Sequence, residues 1–171
     1  MSADSDLVST FADAARAVDA TVTRTDADGA TDALADAIET PAVGVELGID
    51  GVSLADLPVT RSPTASEVTA AATGVTRAAL AIADYGSVVI RETGAGEEPA
   101  SLFGETHVAV VAASDVVPDM PTAFERFEEW MGEDSADAVI ATGPSATADM
   151  GALVKGAHGP KRVHAVVVED R

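Results

Sequence analysis

Apolar positions near the amino end recur at steps of three and four. Leu7, Phe11, Ala14, Ala15 and Val18 keep that spacing, with Asp13, Arg16 and Asp19 between them, so residues 3–20 are predicted to form an amphipathic helix. Thr21 to Thr25 alternates and is β-branched, which predicts a short strand. Thr31 to Glu39 returns to helical spacing, with Leu34, Ala37 and Ile38 on one face and Pro41 as its stop. Ala42 to Leu47 reads as a buried strand. Thr64-Ala65-Ser66-Glu67 is a capping box that opens an Ala-rich helix running to Gly74. A second helical piece is expected from about Thr76 to Ala83.

Further along, Ser87 to Arg91 and Thr106 to Ala112 read as strands, separated by a Gly- and Glu-rich loop from Thr93 to Pro99. Phe124, Phe127, Trp130 and Met131 fall on one helix face, a stripe expected to pack into the core. Ala138 to Thr142 and Val163 to Val168 are short apolar runs without clean alternation, as expected of strands covered on both faces. Strands and helices therefore alternate along the chain. The expected fold is an α/β three-layer domain with a mostly parallel sheet, a single unit spanning residues 1–171.

Charge changes the picture. The chain carries 10 basic and 29 acidic residues in 171, a formal net charge of −19. Its first 60 residues hold twelve acids against Arg16 and Arg24. Such a surface repels nucleic-acid phosphates and anionic lipid headgroups, so neither nucleic acid nor a membrane is an expected partner. The acids are spread along the chain and lysine occurs only at positions 155 and 161, a pattern that points to a salt-adapted cytoplasmic protein. With no cysteine, the chain offers no thiolate to an iron–sulfur cluster and no thiol nucleophile. The acidic start Met-Ser-Ala-Asp does not read as a signal peptide, and no apolar run has the length of a membrane span.

Against that background the segment from Gly143 to His164 stands out. It holds one acid, Asp149, with Lys155, Lys161, Arg162 and two of the three histidines. Gly143-Pro144 is expected to end a strand, with Ser145 capping a following helix opened by Ala146, Thr147 and Ala148. Free N–H groups at such a helix start could receive a small anion, with Ser145, Thr147 and Lys155 adding donors. Gly156-Ala157-His158-Gly159-Pro160 is expected to end that helix in a turn, where His158 could bind a carboxylate or pass a proton. A third candidate is Asp84-Tyr85-Gly86-Ser87, with Asp84 and Ser87 as polar contacts, although a plain helix C-cap closed by Gly86 explains it better. All three segments are placed at the carboxyl edge of the sheet, where open α/β sheets bind ligands. His107 opens an apolar strand, and His164 reads as structural. No metal-ligand spacing, dinucleotide fingerprint, P-loop or nucleophile elbow is present, so no metal or cofactor is expected.

Four blocks, taken in order, carry a resemblance. They are Gly74-Val75-Thr76 with Ala81 to Val89; Ser101-Leu102 with His107 to Val111; Gly143 to Met150; and Gly156 to Pro160. Over about residues 64–170 they resemble LUD-domain proteins of the lactate utilization protein C (LutC/YkgG) type. The resemblance implies a fold of the NagB/RpiA/CoA-transferase-like kind. It also implies a part in oxidising L-lactate to pyruvate alongside iron–sulfur subunits. On that reading a small carboxylate or other anion is the ligand, His158 and His107 orient it or move a proton, and Asp84 is a further catalytic candidate. Two positions depart from the pattern: Ala146 stands where the family commonly has Arg, and Asp84-Tyr85-Gly86-Ser87 replaces Glu-Thr-Gly-Thr. Other readings stay open: a non-catalytic assembly subunit that docks iron–sulfur proteins, or a transferase or isomerase for a CoA ester or sugar phosphate, for which Asp84 and Glu46 are the placed carboxylates. Whether the chain is an enzyme is likewise left open.

Overall fold

The computed structural model describes residues 3–130, 137–149 and 152–171. In chain order its elements are α1 (Ala3–Ala17), β1 (Thr21–Thr25), α2 (Ala30–Ala37), β2 (Ala42–Gly44), β3 (Val59–Thr60), α3 (Ala65–Ala70), β4 (Thr73–Arg77), β5 (Leu80–Ile82), β6 (Ser87–Arg91), α4 (Glu97–Phe103), β7 (Thr106–Ala112), β8 (Val116–Val117), α5 (Met120–Trp130), β9 (Ala138–Thr142), β10 (Ala146–Asp149), β11 (Ala152–Lys155) and β12 (Arg162–Val168). Six strands form an all-parallel sheet in the order β1-β12-β7-β4-β2-β3.

Side-chain alternation along these strands builds two cores. Ala109, Val111, Val163, Ala165 and Val167 meet Val8, Phe11 and Ala15 of α1 on one face. Val108, Val110, Val166 and Val168 meet Leu34 of α2 on the other. Both faces are covered, so Val108–Ala112 of β7 and Ala165–Val168 of β12 are unbroken apolar runs. This is the three-layer α/β arrangement expected from the sequence.

A second sheet, β8-β5-β6-β9, grows from the carboxyl edge of the first. β5 follows β4 after Ala78-Ala79, and β8 follows β7 after the 3-10 turn Ala113–Asp115. Ala81, Val88 and Ile90 of this sheet close over the outer side of α1, which is thus held between two sheets. Leu80, Ile82 and Val89 point the other way, to Ala123, Met120 and Phe127 of α5. At Gly86, φ is 61°, and a Cβ there would stand 2.2 Å from the Ala15 nitrogen, so only glycine lets the second sheet approach α1 this closely.

Four expectations need correction. The helix predicted over Thr76 to Ala83 is instead β4 and β5. Its alanines, Ala78, Ala81 and Ala83, are small because α1 packs directly on them, so packing rather than helix propensity set their size. The Thr93 to Pro99 loop already contains the start of α4. The Ala-rich helix stops at Ala70, although its Thr64–Glu67 capping box forms as expected. The aromatic stripe of α5 is only partly core: Phe127 and Trp130 pack against the sheet, whereas Phe124 is 57% exposed. Met131 lies outside the described residues.

Candidate functional site

A cleft of about 410 Å³ opens beyond the carboxyl ends of β2 and β4, where the two sheets part. Arg77, the last residue of β4, forms its floor. Its Nη1 donates to the Gly48 carbonyl at 2.9 Å and its Nη2 to Asp115 Oδ2 at 2.9 Å. These two bonds fix the guanidinium plane. The Arg77 Nε is buried and has no hydrogen-bond partner among the described residues. Arg91, ending β6, stacks over the Trp130 ring at 5.1 Å from its centroid, a cation–π contact that fixes the cleft wall. Arg126 of α5 reaches the rim beside Glu129, 3.6 Å away.

The loop between β6 and α4 supplies the opposite wall. Glu97 is buried and accepts hydrogen bonds from the Thr93 N–H at 3.2 Å and from the Thr93 hydroxyl. Glu92 accepts from the amides of Gly94, Gly96 and Glu98. Burial pulls its carboxyl up, but the Glu98 and Gly94 amides, the Glu97 side chain and the Gly96 amide outweigh that and hold it below the ordinary carboxylate value. Glu46 completes the rim. Three guanidinium groups therefore meet Glu46, Glu97, Asp115 and Glu129 in one concave site. It can seat a small acid on an arginine while hydrogen-bonding its other polar groups. Among the described residues no group of three or more His, Asp or Glu side chains stands ready to hold a metal.

The residues singled out from the sequence lie elsewhere. Gly143–Asp149 and Gly156–Pro160 lie side by side. The Ser145 N–H donates to the Pro160 carbonyl at 2.9 Å, and the Gly156 N–H to the Ser145 carbonyl at 2.8 Å. What they build is not a helix start, however. Ala146 and Thr147 belong to β10, paired antiparallel with Lys155 and Val154 of β11, so no helix N-terminus is present to receive an anion. The Asp149 side chain lies outside the described residues. Lys155 Nζ is 3.0 Å from Asp19 Oδ2, an exposed ion pair. His158 is exposed on the turn that leads into the amino end of β12, the edge of the sheet opposite the expected one.

The other three are also displaced. His107 is fully buried, its Nε2 2.9 Å from Thr76 Oγ1, and burial pushes its pKa down to about 4. It is a neutral core residue, out of a ligand's reach. Asp84 is exposed on the 3-10 turn Ala83–Tyr85, which Gly86 closes in the left-handed conformation. Ser87 is buried and its hydroxyl is 2.7 Å from Thr142 Oγ1. His164 bridges strands, with Nδ1 2.6 Å from Thr21 Oγ1. Of the residues weighed for chemistry, Glu46 alone lines the cleft. The arginines were missed: only Arg91 closes an apolar run, Val88-Val89-Ile90, and no spacing in the sequence groups it with Arg77 and Arg126.

The architecture defines the class as a three-layer α/β protein with its cleft at the carboxyl ends of parallel strands. Residues 52–168 match the LUD domain family model, and the chain belongs to that family. Lactate utilization protein C of Bacillus licheniformis is 35% identical over 102 residues, covering 57% of this chain and 42% of that protein. Lactate utilization protein C 1 of Bacillus mycoides is 33% identical over 106 residues, covering 60% and 45%. The chain spans less than half the length of these relatives. A crystal structure of a DUF162 family protein from Deinococcus radiodurans superposes with a TM-score of 0.76 at 21% identity, covering 98% of this chain and 99% of that one, and so shares the fold.

Proposed function

We propose that this LUD-domain protein takes part in L-lactate utilization by binding a small carboxylate, lactate or pyruvate, in the cleft at the carboxyl ends of β2 and β4. The observation that carries the reading is Arg77: a guanidinium clamped by Gly48 and Asp115, with Nε left without a partner, beside Arg91 and Arg126. The relatives named lactate utilization protein C support the metabolic setting. Oxidation of lactate needs an electron acceptor. Since the chain has no cysteine, iron–sulfur clusters of partner subunits would take that part, with this subunit holding the acid. The spread of acids and the scarcity of lysine support work in a salty cytoplasm. Among the described residues no helix is long and apolar enough to cross a membrane.

Thermal unfolding in concentrated KCl tests the reading, with L-lactate, pyruvate, CoA and a sugar phosphate compared at matched ionic strength. A ligand at a hundred times its Kd stabilises the native state by about 2.7 kcal/mol, or roughly 5–10 °C for a chain of this size. The expected result is a saturable shift with lactate or pyruvate that Arg126→Gln weakens and Arg77→Gln removes. No shift in the wild type overturns the reading. A shift that survives both arginine changes but is lost in Ser145→Ala or His158→Ala moves the site to the base of the β10–β11 hairpin.

A further inference from the structure

On the far side of Trp130 lies a second, unlike groove. Phe124, Phe127 and Trp130 of α5 face Ala138 and Ile140 of β9 across about 480 Å³, with Phe124 57% and Ile140 41% exposed. Among the described residues the charged groups along it are Glu125 and Glu128, and no lysine or arginine lines it. Contiguous exposed apolar side chains rimmed by charge mark interaction surfaces or ligand-binding grooves.

Among the described residues the strand beside the groove is paired along one edge only. β9 is the last strand of its sheet: it pairs with β6 on one side, and no described strand pairs with the other. Natural edge strands are guarded against pairing by charge, proline or a bulge. β9 reads Ala-Val-Ile-Ala-Thr and has none of these guards. Its exposure alternates, with Ala138, Ile140 and Thr142 outward, the period that a strand laid alongside would match.

We propose that β9 and the α5 groove bind an extended segment of a different protein, one that adds a strand to β9, sets alternate apolar side chains against Phe124 and Ile140, and carries lysine or arginine at its ends opposite Glu125 and Glu128. Backbone pairing supplies affinity in this mode and the pockets supply selectivity. A second copy of this chain fits badly. A two-fold contact would set Glu125 and Glu128 against their own images, and each copy brings a net charge of −19. The inference does not rest on the carboxylate-binding reading, because none of the cleft arginines lines this groove.

Fluorescence anisotropy of labelled peptides tests it. The probe alternates valine and phenylalanine with threonine over about five residues, the length of β9, and has two lysines at each end. One control replaces the lysines by glutamates, and another places proline at the centre. Titrations are run at about 0.3 M and about 2 M KCl to separate groove binding from bulk attraction. The expected result is saturable binding at both salt concentrations, at least tenfold weaker for the proline peptide. Phe124→Ser and Ile140→Thr should each weaken binding at least fivefold while lowering the melting temperature by no more than about 4 °C, because both side chains are only partly buried. The glutamate peptide should bind at least fivefold more weakly at the lower salt. Absence of binding by the wild type overturns the proposal, as does affinity indifferent to both substitutions. A dimer seen by light scattering that Phe124→Ser dissociates assigns the groove to a second copy and overturns it too.

Discussion

His107 makes a quantitative test of the core. Burial between β4 and β7, with Nε2 bonded to Thr76 Oγ1, lowers its pKa from 6.5 to about 4. Above pH 6.5 the imidazole is neutral in both the folded and unfolded chain and stability carries no proton term from it. Between 6.5 and 4 the unfolded chain binds a proton that the folded chain refuses, so stability falls as the pH falls. Each pH unit across that window costs about 1.4 kcal/mol, giving a loss of about 2 kcal/mol by pH 5 and about 3 kcal/mol in full. The perturbation is His107→Gln, which keeps a polar atom near Thr76 but cannot titrate. Urea unfolding of both proteins at pH 7.5, 6.5, 5.5 and 5.0, at constant KCl, gives the difference in stability, in which the titration of the carboxylates cancels. The variant should start less stable at pH 7.5 and close on the wild type by about 2 kcal/mol at pH 5. Parallel pH profiles would mean that His107 protonates freely in the native state, and the burial argument would fail.

Three further outcomes are expected. Gly74→Ala should destabilise strongly, because a Cβ there would stand 1.7 Å from the Ala100 carbonyl oxygen where α4 crosses β4; a drop in Tm of under about 2 °C would show that α4 yields easily. Phe11→Ala, removing a fully buried ring between the two sheets, should cost about 3–5 kcal/mol in urea unfolding, and a cost below about 1 kcal/mol would contradict the placement of α1. With a formal charge of −19, Tm should climb steadily as KCl is raised, and a flat or falling profile would remove the salt-adaptation reading.

The parts of the fold that the letters foretold are those with unambiguous local signals. β1, β6 and β7 fall where alternation or β-branched apolar runs placed them, and the Thr64 capping box is a local device needing no tertiary help; β9 lies where its apolar run placed it, but it is a half-exposed end strand rather than one covered on both faces. β4 and β5 were hidden because a strand buried on both faces has no period to distinguish it from a helix, and its alanines answer to α1, which lies elsewhere in the chain. The helix expected after Gly143-Pro144 had one overlooked cue against it, Gly151 near its middle, where glycine costs about 1 kcal/mol. The cleft was illegible for a topological reason. Arg77, Arg91, Glu97, Asp115 and Arg126 are separated in sequence, and only the bend of β4 into β5 brings them to one place.

The account turns on where a small acid binds. Titrating pyruvate and L-lactate into the isotopically labelled protein, and following each backbone amide by NMR, reads that position directly. The account predicts saturable shifts grouped at residues 46–48, 77–80 and 91–97 around the arginine cleft. Shifts grouped at residues 143–148 and 153–160, or none at saturating acid, would contradict it.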